Sequence, residues 1–110
     1  MAAPTTTDER IAIGLESLRL TLAELPEVAG EWARLPDGEW ASWSLDWDQL
    51  MATYLPLLER SYRSGAMTPD QQARYREILR QLKEALPLIQ RLQLYPPPVP
   101  LEEARAPGSP

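Results

Sequence analysis

Apolar residues recur at spacings of three and four along three segments of the chain, and this period is that of an α-helix. The segments begin near residues 8, 44 and 69, and turn residues separate them. None shows the strict alternation that is typical of a half-buried strand. The sequence therefore predicts an all-α fold, a bundle of three long helices in which short connections make neighbouring helices antiparallel.

Twelve of the 110 residues are proline, and three of these lie in the interior of the predicted helical segments. Pro56 and Pro87 each remove one backbone hydrogen bond, so both helices should bend there. Pro26 leaves two interpretations open. Either a kinked first helix runs on to about Leu35, or a short additional helix begins at Pro26 and covers residues 26–35, because proline is favoured in the first turn.

Signals for helix ends place the remaining boundaries. Residues 35–38, Leu-Pro-Asp-Gly, are typical of a turn. Ser44 or Asp46 then caps the second long helix, which should run to Ser64 and close at Gly65. Residues 68–71, Thr-Pro-Asp-Gln, combine a cap, a first-turn proline and a capping-box glutamine. They predict the start of the last helix, which should end at about Leu92 or Leu94.

The length is that of one domain. We expect a disordered N-terminus over residues 1–7, a single helical domain over residues 8–95, and a proline-rich, largely disordered tail over residues 96–110. The first residues lack the basic and apolar regions of a signal peptide, and no apolar run approaches the ~20 residues of a membrane span. We therefore expect a soluble cytoplasmic protein that does not bind membranes.

The chain contains neither cysteine nor histidine. It thus lacks the commonest metal ligand, the usual general base at neutral pH, and every Ser/His or Cys/His catalytic pair. We expect no enzymatic activity, no cofactor and no metal site. Glu24, Glu27 and Glu31 recur at helical spacing, so a metal-dependent nucleotide hydrolase remains a second alternative function.

All four tryptophans fall between residues 32 and 47. Trp32 and Trp47 continue the apolar stripes, which favours burial in the core. Trp40 and Trp43 belong to neither stripe, so their burial stays open and both are candidates for partner binding. The proline-rich tail is a candidate to stack on them, either within the chain or from a partner.

Apolar residues also occur beside the main stripes. Ile13 and Leu20 lie off the stripe of the first helix, and three helices alone would leave such surface uncovered. We therefore expect a homodimer or a hetero-complex. The main functional hypothesis is a non-enzymatic protein–protein interaction module, a small adaptor, regulator or accessory subunit that uses apolar helical faces.

The charge of the chain is unevenly distributed. The net charge is −5, and residues 1–55 carry ten acidic and three basic side chains. In the last helix Arg76, Arg80 and Lys83 are spaced three and four apart and form a basic ridge. This ridge motivates the first alternative, an accessory nucleic-acid-binding subunit, although the overall acidity disfavours broad phosphate attraction.

Overall fold

The computed structural model describes residues 7–101. Its helices are α1, Thr7–Glu31; α2, Asp37–Gln49; α3, Leu55–Ser64; and α4, Pro69–Arg91, with a 3₁₀ turn at Trp32–Arg34 and a π-helical segment at Leu50–Tyr54. Because the π-helical segment joins α2 to α3 without a break, residues 37–64 form one rod. Three rods therefore build the fold, and the described chain contains no strand, which confirms the predicted all-α bundle.

The first rod continues through Pro26. α1 ends only at Glu31, and the 3₁₀ turn follows it directly. No separate helix begins at Pro26, which confirms the interpretation that the first helix continues past this proline. Leu22 and Leu25 are buried on the core side of α1, whereas Pro26 is exposed. Ala29 and Trp32, which are half-buried against the core, continue the apolar stripe beyond the lost hydrogen bond.

The second rod begins earlier than the sequence predicts. The predicted turn holds only for Leu35 and Pro36, because α2 already begins at Asp37. Pro36 occupies the N-cap position in an extended conformation, and Asp37 and Glu39 lie in the first turn, where the helix dipole favours acids. The predicted cap Asp46 lies in the helix interior instead. The proposed start near residue 44 is wrong.

The π-helical segment lies directly before Pro56. There the N–H of Leu55 bonds to the carbonyl of Leu50, five residues back. Pro56 has no N–H to donate, and its ring would collide with the carbonyl four residues earlier in a regular α-helix. The wider π turn accommodates the proline without ending the rod.

The start of α4 agrees with the prediction. The hydroxyl of Thr68 accepts a hydrogen bond from the Gln71 N–H at 3.2 Å, and the Gln71 side chain accepts one from the Thr68 N–H at 3.0 Å. The helix ends in a Schellman motif, since the N–H of Leu94 bonds to the Ile89 carbonyl at 2.9 Å. Gln93 adopts the required left-handed conformation, with φ 57°.

The rods run up, down and up. Gly14 of α1 lies against Tyr54 and Leu58, and Trp32 after α1 packs on Trp40 and Trp43, so the second rod is antiparallel to α1. The Gln71 side chain donates to the Asp8 carboxylate at 3.3 Å, which puts the first turns of α4 and α1 together. α1 and α4 are therefore parallel neighbours. A single cluster of buried apolar residues joins all three rods.

The chain after α4 packs back on the bundle. The indole N–H of Trp47 donates to the carbonyl of Tyr95 at 2.8 Å. Val99 is half-buried against the core, and Leu101 is only 7% exposed. Packed chain therefore extends six residues past the predicted domain boundary at residue 95. Residues 1–6 and 102–110, which include most of the predicted terminal segments, lie outside the described range.

Candidate functional site

The four tryptophans form one continuous row, here called the indole row. The ring centroids of Trp40 and Trp32 are 5.6 Å apart, those of Trp32 and Trp43 are 6.0 Å apart, and those of Trp43 and Trp47 are 5.7 Å apart. The last pair is nearly parallel, at 16°, and the others are tilted or edge-on. Such geometries are favourable for aromatic pairs, so the row is a packed unit.

The indole row leads from the core to the surface. Trp47 is fully buried at one end, whereas Trp40 is 42% exposed at the other. Trp32 and Trp43 are half-buried between them. The question that the sequence left open about Trp40 and Trp43 is thus answered: the former is exposed and the latter is partly covered.

Helix register explains the row. Trp40, Trp43 and Trp47 are spaced i, i+3 and i+7, which puts them on one face of α2. The statement that Trp40 and Trp43 lie on no stripe is therefore wrong, because it rested on a helix that began near residue 44. The spacing itself was the available signal, and a helix start at Asp37 would have revealed it.

Little of α2 is covered by the other rods. Trp47 is its only buried residue, and neither α1 nor α4 packs extensively along it. The first turns of α2 therefore lie outside the core, where the rings of Trp40 and Trp43 pack on Trp32. This end of the bundle, where α1 ends and α2 begins, is here called the tryptophan end.

The tryptophan end is strongly acidic. Residues 24–48 contain seven acidic side chains and one basic one, Arg34, a net charge of −6 against −5 for the whole chain. On α2, Asp37 and Glu39 lie on either side of the aromatic face near Trp40, and Asp48 and Asp46 lie on the same two sides near Trp47. All ion pairs found among residues 7–101 lie outside this segment. Its carboxylates are thus uncompensated.

A groove runs between α1 and α4, here called the α1–α4 groove. It consists of two adjoining clefts of about 580 and 490 Å³ that share Arg19 and Gln81 in their walls. Its floor and sides are mainly apolar and come from both helices: Leu15, Leu22, Ala23, Leu25, Pro26, Ala73, Ile78, Ala85 and Leu88. The small residues among them keep the groove open. Sequence reasoning missed this site, because small residues beside a leucine stripe do not reveal which helices become neighbours.

The predicted contact residues Ile13 and Leu20 are exposed, at 47% and 48%. They are seven residues apart on the outer side of α1, and neither lines the α1–α4 groove. Leu45 and Tyr95 are also exposed large side chains, at 67% and 45%. The sequence analysis did not single these two out.

The predicted basic ridge carries less free charge than its residues suggest. The guanidinium of Arg80 is paired with the carboxylates of both Glu77 and Glu84. Its hydrogen bonds lower the pKa of the Glu77 carboxyl, and the same contacts raise the pKa of Arg80. Lys83 is exposed and Arg76 is half-buried. The ridge is therefore a mixed-charge surface.

One buried polar pair lies at the opposite end of the bundle, where α3 ends and α1 and α4 begin; this is here called the tyrosine end. The phenol of Tyr75 donates to the Glu59 carboxylate at 2.6 Å, and Arg63 pairs with the same carboxylate. Burial, followed by this hydrogen bond, raises the pKa of Tyr75. The Tyr75 ring packs on Tyr62, with centroids 5.0 Å apart. Since both tyrosines are buried, this network stabilises the fold.

Within residues 7–101, no group of three or more carboxylates has the geometry to hold a metal ion. No helix in the described range is long and apolar enough to cross a membrane. Comparison of the chain with protein-family models, with curated proteins and with solved structures finds no match.

Proposed function

We propose that this protein is a non-enzymatic protein–protein interaction module whose α1–α4 groove receives a helix from another protein or from a second copy. The open groove with its apolar floor is the observation that carries this proposal. A fourth helix laid there would pack against both parallel rods, as in a four-helix bundle. In this proposal, the module acts in the cytoplasm as a homodimer or within a hetero-complex.

The surface of the groove fits this role. Ala23, Ala73 and Ala85 have short side chains, so the backbone of an incoming helix can approach closely. Leu88 is only half-buried and offers a larger apolar contact. Burial of such surface contributes about 25 cal/mol per Å² before the costs of association are subtracted.

Charged side chains along the rim suit orientation of the bound helix. Glu16 and Arg19 line the groove from α1, and Arg74, Glu77 and Glu84 line it from α4. Both signs therefore alternate along the groove, which favours a partner of mixed charge in one register over a partner of a single sign. Ile13 and Leu20 lie on the outer side of the same helix and can extend the contact.

The test is the substitution Ala23→Arg in the groove. Ala23 is exposed, so the fold should tolerate the larger side chain. The arginine would obstruct a helix docked in the groove. Light scattering at micromolar concentration reports self-association, and affinity capture from the native cell followed by titration of the purified partner reports a hetero-complex. We expect Ala23→Arg to weaken the observed association at least tenfold. The matched control is Ala52→Arg, an exposed alanine outside the groove.

Circular dichroism on both variants checks that the helices are retained. The proposal would be refuted if the protein is monomeric and if no partner is found that binds Ala23→Arg more weakly than the original chain. Equal losses for Ala23→Arg and Ala52→Arg would also count against it, because the effect would then not belong to the groove.

A further inference from the structure

The negative charge of this protein is concentrated at one place in the fold. With a net charge of −6 for residues 24–48 and −5 for the whole chain, the other 85 residues together sum to +1. Elsewhere, carboxylates such as Glu16, Glu59 and Glu77 have arginine partners. At the tryptophan end no ion pair is found with any residue in the described range, 7–101, so its negative potential extends into solvent.

The same end presents aromatic surface. Trp40 is 42% exposed, and its ring is held in place by Trp32. The face of an indole ring is negative and attracts guanidinium and ammonium groups, with arginine favoured because it also stacks. Since the ring is already packed, little side-chain entropy would be lost on binding.

We infer that the tryptophan end binds an arginine- and lysine-rich segment of another protein. Its cationic side chains stack on Trp40 and pair with the carboxylates on either side, Glu39 and Asp46 on one flank and Asp37 and Asp48 on the other. Charge complementarity selects this occupant. An acidic or phosphate-rich partner is repelled, and an uncharged apolar helix would bury these carboxylates without partners.

A second copy of this chain suits the surface less well than a separate basic partner. Of the seven basic side chains between residues 60 and 91, Arg63, Arg74 and Arg80 already have carboxylate partners within the chain, so a second copy offers fewer free charges than a basic segment. Breaking those pairs would offset the gain of forming new ones. The inference is separate from the α1–α4 groove, because no residue of the indole row lines that groove.

The experiment measures binding of fluorescently labelled nona-arginine, nona-lysine and nona-glutamate peptides to the full chain by anisotropy, at low and at physiological salt. We expect nona-arginine to bind more tightly than nona-lysine, nona-glutamate not to bind, and affinity to fall as salt rises. Trp40→Leu keeps an apolar side chain but removes the aromatic face. It should weaken nona-arginine binding about fivefold, as expected for one cation–π contact.

Two double variants with the same change in net charge locate the site. Glu39→Gln with Asp46→Asn should weaken binding about tenfold, whereas Asp8→Asn with Asp70→Asn, in the first turns of α1 and α4 and outside the groove, should change it less than about twofold. Equal effects of the two pairs, no effect of Trp40→Leu, or no binding at low salt would overturn the inference.

The groove variant Ala23→Arg separates this inference from the proposed function. At physiological salt it should leave nona-arginine binding within about twofold, because no tryptophan lines the groove and one added charge is screened by salt. Melting temperatures of all variants check folding. Light scattering during the titration tests whether the surface is instead used between copies: peptide that dissociates an oligomer, rather than binding to a monomer, would contradict a separate basic partner.

Discussion

The tyrosine end and the tryptophan end of the bundle use aromatic residues in opposite ways. At the tyrosine end, Tyr75 is 0% and Tyr62 is 4% exposed, because α1, α3 and α4 all meet there. At the tryptophan end the aromatic stripe of α2 continues where neither α1 nor α4 packs extensively along it, and exposure rises from 0% at Trp47 to 42% at Trp40. The difference teaches that one helical stripe can be core at one end and surface at the other, according to what covers it.

The largest expected difference in stability is between variants at the two ends of the indole row. Trp47→Ala should lower the free energy of unfolding by about 3–5 kcal/mol, because it removes a fully buried ring and the hydrogen bond to the Tyr95 carbonyl. Trp40→Ala should cost about 1 kcal/mol or less. Urea unfolding followed by circular dichroism measures both. Similar losses for the two variants would break the comparison.

A smaller effect is expected from the polar pair at the tyrosine end. Tyr75→Phe should lower the free energy of unfolding by about 1–2 kcal/mol, because the Glu59 carboxylate loses a buried donor while Arg63 still pairs with it. Tyr95→Phe is the control, since this side chain is 45% exposed. Its stability should be close to that of the original chain.

The same pair predicts a pH dependence. The pKa of Tyr75 in the folded state is raised above its ordinary value of 10.0. Above that pH the unfolded chain loses this proton while the folded chain keeps it, so deprotonation favours unfolding and stability falls as the pH rises. Denaturation curves from neutral to alkaline pH should show this fall, and Tyr75→Phe should make it shallower. An unchanged slope would show that other groups cause it.

The smallest changes in stability are expected at two helix C-termini, one at each end of the bundle. α3 closes at Gly65, with φ 80°, and α4 closes at Gln93, with φ 57°. Gly65→Ala should destabilise the fold by about 1 kcal/mol, and Gln93→Gly should stabilise it by about 0.5–1 kcal/mol, because only glycine adopts this conformation without strain. Thermal unfolding of both variants measures the opposite signs. A loss of stability in Gln93→Gly would show that its side chain contributes more than its strain costs.

Much of the secondary structure could be predicted because its signals are local. The capping box at Thr68 and the left-handed closure at Gly65 depend on a few consecutive residues, and both are present. The start of α2 at Asp37 was missed because Pro36, Asp37 and Gly38 form a turn as readily as a helix start. That one boundary also concealed the register of Trp40 and Trp43.

The candidate sites were less predictable, since they depend on which rods become neighbours. Ile13, Leu20 and Trp40 could be named as surface candidates because they depart from the expected core stripes. The α1–α4 groove required knowledge that α1 and α4 pack side by side. The pairing of Arg80 with Glu77 and Glu84 could be recognised only from the side-chain geometry, although both glutamates lie at spacings that permit it.

The sequence by itself determined the all-α class, the three long apolar stripes and the concentration of negative charge between residues 24 and 48, because periodicity and composition are properties of the chain alone. Only the tertiary structure decided that Trp47 is core while Trp40 is surface, and that α1 and α4 leave a groove between them. The physical reason is that burial depends on the elements that cover a residue, and these come from distant parts of the chain.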